Sequence, residues 1–321
     1  MRASLNVAKP AATDMQRPPA DADRPNMASA EALKQARRVH IRTRRLVDGA
    51  FAGEYRSVFR GQGLEFAEVR EYAPGDDVRT IDWNVTARLG YPFVKQYVEE
   101  RELTVMLLVD MSASGRFGSV RRFKAEVARE VCAVIALSAI ANNDKVGLIL
   151  FTDEVERFVP PRAGRNRVLH LIRELMAFEP RNRGTDPTCA LGFFHKVIRR
   201  RCVTFLISDF LAVGYEPALR VGRQKHDVIP VVVSDPREAD LPDAGLLALE
   251  DLESGERVLV DSSSVRVRAA YRARHDAMVD ERLRLFRSLG LDSIEISTDE
   301  PVTRPLLRLF RAREGRHSGR R

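Results

Sequence analysis

The chain has 321 residues, 44% hydrophobic and 31% charged, enough for one large domain with an appendage, or two modest ones, around a core that needs no disulfide or structural metal. No stretch reaches the roughly 18 apolar residues of a membrane span, and the scattered cysteines Cys132, Cys189 and Cys202 form no CxxC pair, which argues against zinc and for reduced thiols in a cytoplasmic protein. The net charge of +8 comes from the ends, since residues 34–45 and 304–321 carry +12 between them and leave the rest near −4; nucleic acid is therefore not the expected partner.

Residues 1–30 are rich in Ala, Pro and Asp and lack the apolar stretch of a signal peptide, so they read as a disordered lead-in. Residues 31–50 suggest a helix on Leu33, Val39, Leu46 and Val47. Between 51 and 97 the runs YRSVFRG, LEFAEVREY and YPFVKQY alternate aromatic or β-branched residues with polar ones, separated by Gly- and Pro-containing turns. Residues 31–100 are thus set apart as an N-terminal unit, a helix followed by a small β-rich subdomain.

From residue 103 the rhythm is strand, helix, strand. LTVMLLV (103–109), KVGLILF (145–151), CVTFLIS (202–208) and DVIPVVVS (227–234) are continuous apolar runs, as parallel strands buried on both faces require. Helices are expected over 120–140, 165–177 and 265–288, a further strand over 154–160, a hairpin within 246–261 and a closing strand over 292–297. Pro230 should bend its strand or place it near an edge. The alternation implies an α/β fold, with an open, doubly wound, mostly parallel, Rossmann-like sheet over 101–300. Residues 301–321 then read as a basic, solvated tail.

The chemistry concentrates at one rim of that sheet. Asp110-Met111-Ser112-Ala113-Ser114 follows the first strand directly, and in such sheets ligands collect where strands end and helices begin. Thr185 stands before a helix that opens at Pro187, and Asp209 follows the strand CVTFLIS. Asp110, Ser112, Ser114, Thr185 and Asp209 offer hard oxygen ligands for Mg²⁺, which takes six oxygens at about 2.1 Å and keeps some water; Mn²⁺ and Ca²⁺ suit the same donors. Neutral hydroxyls leave the cation short of negative charge, so a vacant position would attract a carboxylate from outside. That is binding, not catalysis. The plainer alternative is that Ser112, Ser114 and Thr185 only cap helices. A reading from another class makes Asp110 the nucleophile of a Mg²⁺-dependent phosphatase or phosphotransferase, although Ser112 stands where that chemistry wants a second carboxylate as general acid.

The spacing of these five residues resembles the metal-ion-dependent adhesion site of von Willebrand A domains. RGQGLEFAEVREYAPGDDVRTIDWNVTARLGYPFVKQYVEE (60–100) closely resembles the signature of the DUF58 family, bacterial proteins with a von Willebrand A-like domain, and VGLILF, PRAGR, RGTD and ISDF match the same family. The resemblance implies metal ligands at Asp110, Ser112, Ser114, Thr185 and Asp209. It also implies a non-enzymatic, chaperone-like adaptor that works with a MoxR-type AAA+ ATPase or its client in the assembly or maturation of complexes. One departure is Gly115, where many such loops carry methionine; a glycine there should loosen the loop.

The block GDDVRTIDW crowds Asp76, Asp77, Arg79 and Asp82 together. It reads as a polar lock between the β-rich unit and the sheet, with Arg70, Arg79 and Arg88 as partners and Trp83 anchored in a pocket. His195 reads as a packed histidine and Cys189 as a buried thiol. Gly61 and Gly63 are followed by Leu64-Glu65, so no phosphate-binding P-loop is indicated.

Overall fold

The computed structural model describes residues 52–58, 64–99, 103–119 and 122–318; the helix expected over 31–50 and the lead-in before it lie outside them. The central sheet has six strands: β3 (Thr104–Asp110), β4 (Lys145–Phe151), β5 (Val155–Arg162), β6 (Val203–Ser208), β7 (Asp227–Ser234) and β10 (Ile294–Ser297). Their order is β10-β7-β6-β3-β4-β5, all parallel except β5, which runs antiparallel along β4 at one edge. This is the doubly wound α/β sheet the sequence implied. Pairing of β7 with β10 begins only at Val231, so Pro230, which cannot donate to a ladder, is flanked by β6 alone.

Alternation along β3 divides the core between two faces, because successive side chains of a strand point to opposite sides. Val105, Leu107 and Val109 face one cluster with α3 (Lys124–Ala141), α4 (Arg165–Ala177), α1 (Ala52–Val58) and α9 (Thr303–Ser318). Met106 and Leu108 face the other, with α5 (Pro187–Val197), α6 (Glu216–Lys225) and the long α8 (Val265–Ser288). The chain leaves β3 through α3 to reach β4 on one side, and later returns to place β6 on the other. That reversal opens a crevice at the carboxyl ends of β3 and β6, the usual ligand position in such sheets.

Two readings of the chain ends need correction. The run YRSVFRG is not a strand at its start: residues 52–58 form α1, where Tyr55 and Val58, three apart on one helical face, are buried in the core. The Tyr55 hydroxyl donates to Asp144 at 3.0 Å, and the Asp144 carboxylate also accepts from the Leu103 N–H. The C-terminal segment is not a solvated tail either. It forms α9, and Val302, Leu306, Leu309 and Phe310 lie in the core. Arg313 on the same helix is buried, with its guanidinium on Asp227 and Asp292.

The β-rich unit is a hairpin of β1 (Leu64–Glu71) and β2 (Phe93–Glu99), with α2 (Trp83–Leu89) in its connection. Its charges serve local turns and are not a lock onto the sheet. Asp76 takes Arg70 in a two-pronged contact at 2.7 Å, which, with the Ala73 N–H, holds its carboxyl below the usual range. Asp77 caps a short 3-10 turn through the Arg79 N–H, and Asp82 caps α2 through Asn84 and Val85 with Lys95 beside it. Trp83 is 69% exposed, because the first position of α2 faces solvent, so it anchors no pocket. Trp83→Ala is therefore expected to change the unfolding free energy by no more than about 0.5 kcal/mol in a urea titration; a loss of several kcal/mol would place the ring in a contact.

Candidate metal site

Each rim residue is held by its neighbours in the fold. After Asp110 the chain turns sharply. The Met111 N–H is tied to the Phe151 carbonyl at 2.8 Å and the Ala113 N–H to the Arg183 carbonyl at 2.9 Å. Residues 113–116 then make one 3-10 turn. Gly115 sits in that turn, and a Cβ there would stand 3.3 Å from the Ala125 Cβ. The glycine thus lets the loop lie close against α3, the opposite of the loosening expected. Farther along, Asp235 accepts from the Ser119 N–H at 2.9 Å, from the Ser119 hydroxyl and from Thr298, fixing the loop before α3.

The Asp110 carboxylate is 8% exposed. One oxygen accepts from the Ser112 N–H at 2.9 Å and the other from the Ser208 hydroxyl at 2.7 Å. The hydroxyls of Ser112 and Ser114 are 3.0 Å apart, and Ser112 makes no side-chain cap to the turn it precedes. The helix after Thr185 is capped by Asp186, whose carboxylate takes the Thr188 N–H. The capping alternative therefore accounts for neither Ser112 nor Thr185.

Asp209 comes to the same place from the end of β6. The next residue, Phe210, has a φ of 56°, a left-handed conformation that costs a side-chain-bearing residue on the order of 1 kcal/mol. Its buried ring pays for this by packing edge-on to Tyr215 and Phe286. Strain of this kind collects at functional sites. Asp110, Ser112, Ser114 and Asp209, together with Ser208, line one cavity of about 20 Å³, room for a single water-sized occupant. Thr185 is not among the lining residues. Its hydroxyl donates instead to a Glu253 oxygen at 2.6 Å.

Three further charged residues at this rim carried no local motif. Lys124, at the start of α3 and 3% exposed, places its ammonium 2.7 Å from Asp209 and 2.5 Å from Glu238. Glu238 belongs to α7 (Pro236–Ala239), where its other oxygen takes the Asp235 N–H. Glu253 stands in the turn of the hairpin β8 (Leu246–Glu250) and β9 (Arg257–Asp261). Only tertiary placement joins these residues to the Asp110 loop.

The charges at the rim do not balance evenly. Burial raises the Asp110 carboxyl above its usual range, and the neighbouring Asp209 charge raises it further. Burial pushes Asp209 in the same direction, but the Lys124 ammonium, with hydrogen bonds from Ser114 and the Leu211 N–H, holds Asp209 low. Asp110 is thus left as a buried acid beside two hydroxyls that bond each other, with the Lys124 ammonium lining the same cavity but committed to Asp209 and Glu238. That donor set fits a hard dication. Among the described residues no three His, Cys, Asp or Glu side chains converge on a metal position, so any metal here must draw on hydroxyl oxygen. The thiols take no part: burial pushes Cys189 up to about 12 and Cys202 up to about 11. His195 is packed as expected, stacked on His226 with ring centroids 5.7 Å apart.

Comparison with known proteins adds the following. A family model described as "Protein of unknown function DUF58" matches residues 68–280. The protein Rv1480 of Mycobacterium tuberculosis is 32% identical over 303 residues, which is 91% of this chain and 92% of that protein. YeaD of Bacillus subtilis is 30% identical over 109 residues, 34% of this chain and 25% of that one. Among solved structures, an aerotolerance-related membrane protein from Bacteroides fragilis aligns with 16% identity and a TM-score of 0.46, covering 67% of this chain and 99% of that one. A von Willebrand factor type A protein from Catenulispora acidiphila aligns with 13% identity and a TM-score of 0.34, covering 44% and 35%.

Proposed function

The chain belongs to the DUF58 family, and on that footing we propose that it is a non-enzymatic interaction module whose rim site binds a divalent cation and, through it, a carboxylate of another protein. The observation that carries this reading is the meeting of Asp110, Ser112, Ser114 and Asp209 around one small cavity at the point where the strand order reverses. Asp110, Ser112 and Ser114 would touch the cation. Asp209, already neutralised by Lys124, would reach it through water. A bound cation would supply Lewis acidity toward an incoming acid, and Asp110, Ser112 and Ser114 would orient it. Mg²⁺ is the first candidate, with Mn²⁺ and Ca²⁺ sharing the chemistry.

By family resemblance, the partner is a MoxR-type AAA+ ATPase or the client of one, and the role is assembly or maturation of complexes in the cytoplasm. Among the described residues no helix is long and apolar enough to cross a membrane. Phosphoryl transfer is less well served. Both Asp110 oxygens already accept hydrogen bonds from within the chain, and Ser112 supplies no acid.

The test is a Mn²⁺ titration followed by water-proton relaxation, with a pulldown from the native host in the presence and absence of EDTA. Asp110→Ala with Ser112→Ala should weaken Mn²⁺ binding at least about 100-fold, the loss expected for about 2.7 kcal/mol, and should release the same proteins that EDTA releases. Partner capture unchanged by both treatments would refute the metal reading. Mg²⁺-dependent turnover of a phosphoester would favour the enzymatic one.

A further inference from the structure

We propose that Glu253, a carboxylate carried on the β8–β9 hairpin, is a latch that holds the Thr185 hydroxyl away from the rim site and so competes with the binding of a partner's acid there; the proposal rests on the metal reading above. Its physical basis is the one contact that diverts an expected ligand. The Thr185 hydroxyl donates to Glu253 at 2.6 Å across 68 residues of chain. A charge-assisted bond of this kind is among the stronger hydrogen bonds a side chain makes.

The turn is built to present that carboxylate. One Asp251 oxygen accepts the N–H groups of Glu253 at 2.8 Å and Ser254 at 3.3 Å. The Asp251 carbonyl takes the Gly255 N–H at 2.7 Å, and Gly255 supplies the φ of 75° that closes the turn. Glu253 itself is tied down by no such turn contact through its side chain. Its oxygen goes outward, to Thr185.

The hairpin is firm at its base and loosely held along its length. Ser262, fully buried, donates its hydroxyl to the Gly245 carbonyl at 2.7 Å and accepts the Ala244 N–H at 3.1 Å. No residue of β8 or β9 belongs to either core cluster, and Leu246 and Leu259 are about three-quarters exposed, at 74% and 75%. Segments with few buried apolar contacts open at low free energy. An arm hinged at Ser262 can therefore lift its tip without disturbing the sheet. Turning Thr185 toward a bound cation would break its bond to Glu253, so the rim site and the hairpin compete for the same hydroxyl. The latch thus lowers affinity for weak acids and leaves the site to partners that outcompete it.

The test uses the full chain loaded with Mn²⁺ and glutarate as the probe acid. Glu253→Gln keeps an oxygen for Thr185 and the shape of the turn but removes the charge. It should bind glutarate about tenfold more tightly than the unaltered chain, with Mn²⁺ affinity changed less than about threefold, the tenfold step corresponding to about 1.4 kcal/mol. In the unaltered chain, glutarate should speed hydrogen exchange of the amides in residues 246–261. Equal glutarate affinity in both chains, with Mn²⁺ bound in each, overturns the latch and leaves the metal site standing. Failure of the unaltered chain to bind Mn²⁺ overturns both.

Discussion

Lys124→Met should cost about 3–5 kcal/mol of stability in metal-free buffer, the penalty for removing one partner of a buried ion pair. Methionine keeps most of the lysine stem's length and apolar bulk, so packing at the start of α3 changes little. What disappears is the ammonium 2.7 Å from Asp209 and 2.5 Å from Glu238. Asp209 is 8% exposed, as is Asp110, which already feels the Asp209 charge. Without Lys124 the buried Asp209 carboxylate loses its ion-pair partner. A bound dication would restore one. Millimolar Mg²⁺ should therefore stabilise the methionine variant more than the unaltered chain, and a ligand at 100 times its Kd contributes about 2.7 kcal/mol. Urea unfolding of both chains, in EDTA and in Mg²⁺, separates the outcomes. Equal stability in EDTA would mean that the buried pair carries no net weight; no effect of Mg²⁺ on either chain would mean that the site takes no cation.

How much of this was legible in the sequence follows from how local each signal is. Helices α4 and α8 end where their apolar spacing and flanking residues say they should, at Arg165–Ala177 and Val265–Ser288, and the strands announce themselves as continuous apolar runs. Asp110, Ser112 and Ser114 are neighbours, so their convergence could be read directly. Asp209 could be placed because a strand end fixes the rim on which it stands. Lys124, Glu238 and Glu253 come from a helix start, a one-turn helix and a hairpin tip, and nothing in their own segments says they share a site. Thr185 lies in the right loop, but sequence could not show that Glu253 holds its hydroxyl. The acids around Trp83 were misjudged for a related reason. Asp76, Asp77 and Asp82 find partners within a few residues or across the β1–β2 pair, so they needed no contact with the sheet.

The arginine-rich end hid its structure behind its charge. Seven arginines in residues 304–321 suggest solvation, yet Val302, Leu306, Leu309 and Phe310 recur at the three- and four-residue intervals that put them on one helical face. Long arginines on the other face can reach partners while that face stays buried, as Arg311 does toward Glu54. Phe310 is wholly buried and meets the Tyr55 ring edge-on, centroids 5.8 Å apart and planes at 78°. Phe310→Ala should therefore cost about 3–5 kcal/mol, the range for deleting a buried ring in a well-packed core, with part of that coming from the aromatic pair. Arg308→Ala, on the exposed face of the same helix, should cost less than about 1 kcal/mol despite its contact with Glu300. Denaturant unfolding of both variants decides the point. A Phe310→Ala chain as stable as the Arg308→Ala chain would return this segment to solvent; the expected gap makes α9 and α1 together a structural wall of the sheet that carries the Asp110 rim.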